Sequence, residues 1–481
     1  MTFDEAVDLC KNNPEIAAII VMKISQLEED LIKANSEIKR LKEIIDKDSS
    51  NSSKPPSTDN KFTKKSADKK KTSTKKRGGQ ERHKGSNLKM VSNPDKVVVL
   101  EPSVCSCGCS LGDVKPSKVI KRQSFDLPKI KMAVTQYEQH TKICPCCNSL
   151  NKTAFPSNII AVTQYGDNLK AFIAYCNTYQ MIPYARISEM IEDLASHKIS
   201  SGTIYNMLDG YYDKLEAYEE QIKVLARKEE VLCCDETGIN VKGKLHWMHT
   251  VSSDMLTFYL LHQKRGAIAM DAMDILPDYK GIAVHDHWSP YNKYNCAHSY
   301  CNAHHLRELN FITQSEKALW SQSMHTLLSK MNKEVIKAKE KGKESLAENK
   351  LDRFSRHYDT ICNAAMVYYP PPDNTPKKTR GRVAQPKGKN LLDRFVRHKN
   401  EVLRFSTNFS VPFTNNLAER DLRMIKVKEK ISGTFASLKG GEIFARIRGY
   451  ISTVKKNNRS VLEELNNVLK GEAYLPVGRG F

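Results

Sequence analysis

The chain has 481 residues, enough to bury more than one hydrophobic core. Lysine and arginine number 76 against 55 acidic residues, a net charge of +21, which favours a polyanionic partner and predicts salt-sensitive association with nucleic acid. The longest clean apolar run near the N-terminus, Ile16 to Met22, is too short for a membrane span and no signal-peptide pattern precedes it, so a soluble intracellular protein is expected.

Ile20, Ile24, Leu27, Leu31, Ala34, Ile38, Leu41 and Ile45 recur in alternating steps of four and three. This heptad seam predicts a coiled-coil helix over residues 1–48 and a homo-oligomer formed through it; an amphipathic helix packed on its own domain is the alternative. The polar stretch from Ser49 to Ser53 ends the helix. Residues 49–92 are basic and polar: between Lys61 and Met90 twelve lysines or arginines, among them Lys75, Lys76 and Arg77, face only Asp68 and Glu81. Such a segment cannot form a core and is read as a disordered linker when free, either simply solvated or a tail that also tracks DNA phosphates without reading bases, two compatible roles.

Residues 93–155 hold two cysteine knuckles, Cys105-Ser-Cys107-Gly-Cys109 and Cys144-Pro-Cys146-Cys147, separated by a strand-like stretch from Gln123 to Tyr137. In a reducing compartment, clustered thiols point to metal before disulfide, and the pattern predicts a structural zinc site of zinc-ribbon type. Cys144 and Cys147 have the usual two-residue spacing. In the first knuckle Cys107 is the preferred ligand, with Cys105 ahead of Cys109 as its mate.

Residues 156–228 are helical by pattern. Ala185–Leu194, a short turn with His197 and Lys198, and Ser200–Met207 have the form of a helix-turn-helix whose second helix offers Thr203, Tyr205 and Asn206 to a DNA groove. Any pair of short helices shares that form.

The fifth segment, residues 229–312, carries the chemistry. Val231–Cys234 and Ile282–His285 are short apolar runs that each end at an aspartate, Asp235 and Asp286, as buried strands delivering a carboxylate at their exit would. Between them, KLHWMHTVSS and TFYLLHQKR alternate like two antiparallel strands. Residues 313–410 read as an inserted helical subdomain interrupted by Pro370–Pro372 and a basic loop, and residues 411–481 return to the core with Glu419 in a helical start signal. The fold expected is multidomain α+β. Two aspartates on strands and a helix-borne glutamate are hard oxygen ligands for two magnesium or manganese ions, a set suited to displacement at phosphorus.

Each of these residues has a plainer role beside the functional one. Asn416-Leu-Ala-Glu419 also fits a helix capping box, and Asp286 is a plausible strand end. Glu236 and Asp421 are weaker substitutes as ligands because their side chains face away from their neighbours. Arg420 and Arg423 either grip phosphates or are solvated helix charges, and Trp288 either stacks on a DNA base or packs in the core. Cys301, His304 and His305, with Cys296 and His298 nearby, form a minor candidate for a second zinc site.

The stretches NSSKPPSTD, GGQERHKG, the paired cysteine knuckles, CCDETG, HDHWSPY, CNAHHLREL and VPFTNNLAERDLRMIKVKEKISGTF occur in an order that resembles transposases of the insertion sequence 66 family, from about Ser50 to the C-terminus. The resemblance implies a ribonuclease H-like catalytic core interrupted by the helical insertion, with Asp235, Asp286 and Glu419 as its metal-binding triad. It also implies a zinc-binding domain over residues 105–147 and an N-terminal third that contributes to DNA binding. His304 is placed near the active site by the same likeness. The expected chemistry is strand cleavage by water at the ends of a bacterial insertion sequence, followed by attack of the freed 3'-hydroxyl on target DNA, in the cytoplasm, with companion proteins of the same element as further partners. A non-catalytic DNA-binding protein and a simple metal-dependent nuclease are the competing functions.

Overall fold

A computed structural model describes residues 3–12, 14–45, 47, 88–370 and 385–477. Helix α1 (Phe3–Asn12) is followed by α2 (Pro14–Ile45), which opens on a proline at the one place in a helix where its missing N–H costs nothing. The whole apolar seam lies on α2, and Leu27 and Leu31 are 59% and 62% exposed, so nothing among the described residues covers them. Lys75, Lys76 and Arg77 lie outside the described residues.

The cysteine region is built on tight turns. Strands β1 (Thr141–Ile143) and β2 (Leu150–Lys152) form an antiparallel hairpin whose loop is the second knuckle, closed by Cys144 N–H to Ser149 O at 2.9 Å. In the first knuckle Cys105 N–H donates to Cys109 O at 2.9 Å, and Gly108 takes φ +89, a conformation that favours glycine. The expected strand over Gln123–Tyr137 does not form: the segment is extended and mostly exposed, with Val134 at 91%, and it has no ladder partner among the described residues. Alternation marks a strand only where one face has a core to cover. The tie recorded here is local, Gln123 bonding the backbone N–H and C=O of Val91 at 2.7 Å each.

Helices α3 (Asp167–Ala174), α4 (Tyr184–Ala195), α5 (Ser201–Lys214) and α6 (Glu216–Arg227) follow. Ser196, in the left-handed region at φ 50, stops α4, and Ser200 caps α5 by accepting from Thr203 N at 3.1 Å, so the expected helix, turn and helix are all present. Ile187, Ile191, Ile199, Ile204 and Leu208 bury the joint, each full burial contributing roughly 1.5–3 kcal/mol.

The sheet has five strands in the order β5-β4-β3-β6-β7. Long β3 (Val231–Val241), β4 (Lys244–Ser252) and β5 (Thr257–His262) form an antiparallel meander. Its first turn is Lys242-Gly243, both at positive φ, as a two-residue hairpin requires. After α7 (Ala267–Ala272), β6 (Ile282–His285) and β7 (Ala297–Tyr300) add parallel to β3. On one sheet face Leu232, Cys234, Val251 and Phe258 share a core with α3–α6.

Helix α8 (Asn302–Glu316) leads into the insertion, α9 (Leu319–Lys339), α10 (Glu348–Tyr368), α11 (Lys387–Arg397) and α12 (Lys399–Thr407). Its core of Met324, Leu328, Phe354, Leu392 and Phe395 is continuous with Cys233 and Val284 of the sheet. Helix α13 (Asn416–Ser432) returns across the other sheet face, against Ile239, Val241 and Met248, and α14 (Leu438–Lys456) and α15 (Val461–Leu469) complete the chain. No described helix is long and apolar enough to cross a membrane.

Candidate active site

The parallel pairing of β3 with β6 has one constant offset: Val231 faces Ile282, Leu232 faces Ala283 and Cys233 faces Val284. Asp235 and Asp286 have that same offset. Asp286 lies one residue past the end of β6, so continuing that register brings it next to Asp235, at the strand-to-strand spacing of about 4.8 Å. The chain then turns sharply. Asp286 Oδ1 accepts Trp288 N–H at 3.0 Å, and His287 between them is left-handed at φ 71.

Glu419 arrives on α13, whose first turn is fastened to the same strand ends. Asn415 Nδ2 donates to Cys234 O at 2.8 Å, Asn415 N–H to Cys301 Sγ at 3.1 Å, and Asn302 N–H to Phe413 O at 3.1 Å. The capping-box role is not realised: α13 has no side-chain cap bond, and Glu419 Oε1 is buried with no hydrogen-bond partner among the described residues. His304 Nε2 lies 3.4 Å from Oε1, close enough for charge to act but poorly aligned for a hydrogen bond.

The carboxylates act on one another through their charges. Asp235 keeps some solvent access at the strand but is surrounded by dense protein, and burial pushes its carboxyl well above the ordinary range, reinforced by the charges of Glu236, Asp286 and Glu419. Its own bond is modest, Glu236 N–H to Oδ1 at 2.9 Å. Glu419 is held below its ordinary range, first by His304 and then by the charges of Arg307 and Arg423, against the effect of burial. A carboxyl raised by burial and then by like charges, beside one with a buried oxygen that makes no hydrogen bond, is a donor set that a divalent cation would relieve.

Two other acids are accounted for. Glu236 is buried on the opposite face of β3, bonded by Arg265 and by Tyr291 Oη at 2.8 Å. Asp421 is buried in a network with Ser252, Thr257 and Lys456. Neither points with Asp235.

Among the described residues, the group of three His, Cys, Asp or Glu ligand atoms lying within 4.8 Å of one another is Cys301, His304 and Glu419. The proposed acidic trio is therefore looser than a single-ion shell. His304 lies beside Glu419, whereas His305 is buried and bonded to Asn302 Oδ1 at 3.1 Å. Behind Asp286 lies a packed set of histidines: His285 Nε2 and His298 Nδ1 are 3.2 Å apart, His287 lies tilted against Tyr300 and edge-on to His398, and burial drives His287 down to about 3. Kept neutral, these rings back the Asp286 turn as rigid packing. The sequence reading missed Arg265, Arg307 and this histidine cluster; in CNAHHLREL the signal for Arg307 was its three-residue spacing from His304, which puts both on one helical face.

Arg420 and Arg423 are exposed on α13. On α5, Thr203 Oγ1 is engaged with Ser200 Oγ at 2.9 Å, Tyr205 is half-buried against the core and Asn206 is exposed. The expected zinc thiols meet within each knuckle. Hydrogen bonds from Cys107 hold the Cys105 thiol low, and bonds from Ser149 and then Cys144 hold that of Cys147 low. The two pairs are not drawn together into one group.

A search among curated proteins returned no match. A family model described as a family of unknown function matches residues 10–89. Another, described as "Transposase IS66 family", matches residues 162–443, from the helices before the sheet through α13 into α14. That span covers more than half of the chain and every element that brings Asp235, Asp286 and Glu419 toward one another, and on it the chain belongs to the IS66 family of transposases.

Proposed function

We propose that this transposase binds the ends of a bacterial insertion sequence, cleaves DNA there and joins the freed 3' end to a target, using Asp235, Asp286 and Glu419 on a ribonuclease H-like core. The observation that carries the proposal is the shared offset of the β3–β6 ladder and of the two aspartates. Supporting it are the mixed order of the sheet, an antiparallel meander followed by two parallel strands, and a helix that returns Glu419 after the helical insertion.

The donor set fits two magnesium or manganese ions held by Asp235, Asp286 and Glu419: hard oxygens, one carboxyl raised by burial and by its neighbours, and one buried oxygen with no hydrogen bond among the described residues, 3.4 Å from His304. When bound, such ions polarise the phosphodiester and activate the attacking hydroxyl. The chain supplies the rest. The Trp288 amide fixes the Asp286 carboxylate, and Asn415 fixes the start of α13 against Cys234. His304, Arg307 and Arg423 keep Glu419 ionised, and the two arginines bring positive charge to a site that must accept an anionic backbone.

Around this centre the proposal assigns Cys105, Cys107, Cys144 and Cys147 to a structural zinc ion. It assigns the α2 seam to a homo-oligomer that brings two DNA ends together, and Lys75, Lys76, Arg77, Arg420, Arg423, Thr203, Tyr205 and Asn206 to DNA contacts. It sets the work at the nucleoid in the cytoplasm, with companion proteins of the element as further partners. A strand-transfer assay with magnesium and DNA flanking the gene tests it: the wild type should cut and join, and Asp235→Ala, Asp286→Ala and Glu419→Ala should do neither while still binding DNA. Cutting without joining would make the protein a nuclease, and binding without cutting in the wild type would reduce it to a DNA-binding protein.

A further inference from the structure

Arg265 follows β5 and reaches back over the face of β3 opposite Asp235. Its Nε and Nη2 both donate to Glu236 Oε1, at 3.0 and 2.8 Å, while Tyr291 Oη donates to Glu236 Oε2 at 2.8 Å. The guanidinium carbon lies over two indoles, 4.1 Å from the ring centre of Trp288 and 4.8 Å from that of Trp247. Trp247 in turn lies beside Gly238, its partner across the ladder.

This environment is asymmetric. The Glu236 side chain is 1% exposed and that of Arg265 is 40% exposed, so the carboxylate is sealed inside and the cation faces out. Two of the three guanidinium nitrogens are committed to Glu236, and Nη1 makes no hydrogen bond among the described residues. Two indoles and a buried carboxylate hold the side chain in one orientation, so little rotamer entropy remains to be lost on binding. Trp288 also ties the stack to the proposed metal site, because its backbone amide donates to Asp286 Oδ1 at 3.0 Å while its indole lies under the guanidinium.

We propose that Arg265, locked between Trp247 and Trp288 by Glu236, binds through Nη1 a non-scissile phosphate of the DNA strand that runs past Asp286. This inference rests on the proposed DNA cleavage site and deepens it. A guanidinium edge with fixed direction suits a phosphate oxygen, and a contact on the flanking phosphate sets the register of the strand against the carboxylates. Arg265 is thus a positioning residue for the strand.

Ethylation interference tests this. End-labelled duplex DNA flanking the gene is ethylated to single-hit level, bound by the full-length protein in calcium buffer, and the bound fraction is mapped. In the wild type, ethylation at a phosphate next to the cut should block binding. Arg265→Ala should lose that one position from the map and keep the others, with affinity reduced about tenfold to a hundredfold. The slope of log affinity against log salt should fall by about 0.9. Because Arg265→Ala strands a buried carboxylate, the double variant Arg265→Ala, Glu236→Gln is mapped beside it and should behave alike. Arg265→Lys should restore the charge but only part of the interference, since it lacks the fork. An unchanged map in the double variant, with wild-type cutting intact, overturns this inference alone. A wild type that neither binds nor cuts the DNA overturns the cleavage proposal and the inference with it.

Discussion

Asp421 and Glu419 lie two residues apart on one helix, and the structure gives them opposite tasks that one set of variants separates. Asp421 Oδ2 receives Ser252 Oγ at 2.7 Å, Thr257 Oγ1 at 3.2 Å and Lys456 Nζ at 2.9 Å. The ion-pair side chains are only 11% and 10% exposed, and burial pushes the Lys456 ammonium below its ordinary range while Asp421 resists that shift. Asp421→Ala leaves Lys456 with the carbonyls of Ser253 and Leu256, at 2.8 and 2.9 Å, and no counter-charge. Breaking a buried pair from one side costs about 3–5 kcal/mol. Asp421→Asn keeps an acceptor and should cost less, and adding Lys456→Met should recover most of the loss, since removing both charges is often close to neutral. Urea unfolding followed by tryptophan fluorescence measures all three. Glu419→Gln should show the inverse pattern, wild-type stability with no strand cleavage. Asp421→Ala within about 1 kcal/mol of wild type would refute the network argument, and Asp421→Asn that folded normally but failed to cut would move the ligand role from Glu419 to Asp421.

Burial and neighbouring charges raise Asp235, so metal-free protein should lose stability as pH rises from the ordinary carboxylate value, about 4, through the raised value. Asp235→Asn should flatten that dependence and raise Tm above it, and manganese should stabilise the wild type but not the variant; a wild-type Tm that does not fall across this window would contradict the assignment. His304→Ala removes the main influence that lowers Glu419, so the acid limb of the cleavage rate should move to higher pH, readable in a pH–rate profile. Cys107→Ser or Cys144→Ser should bring zinc content by atomic absorption to background, while Cys109→Ser and Cys146→Ser retain it. Leu27→Asp with Leu31→Asp, both exposed in the single chain, should convert an oligomer to a monomer in sedimentation and leave helix content unchanged.

Local pattern made much of this molecule legible before any coordinates. The apolar runs before Asp235 and Asp286, the alternation in KLHWMHTVSS and TFYLLHQKR, and the helical patterns of Ala185–Leu194 and Ser200–Met207 each became the expected element, because strand period and helix period are written within a few residues. The strand-like pattern failed at Gln123–Tyr137, where no core among the described residues lies against either face of the segment. A seam such as that of α2 is legible as a seam, but not as a contact, since its partner is another surface.

What the amino-acid order determined by itself is the set of elements and the residue types at their ends, since these depend on neighbours in the chain. What only the tertiary structure decided is which of those ends meet. The β3–β6 offset set Asp235 beside Asp286, Asn415 fastened the α13 start to Cys234, and Asp421, close to Glu419 in sequence, was turned into the core. Arg265 gained its place between two tryptophans from three separate segments. Such convergence depends on strand register and on burial across long separations, and neither is encoded in any short window of the chain.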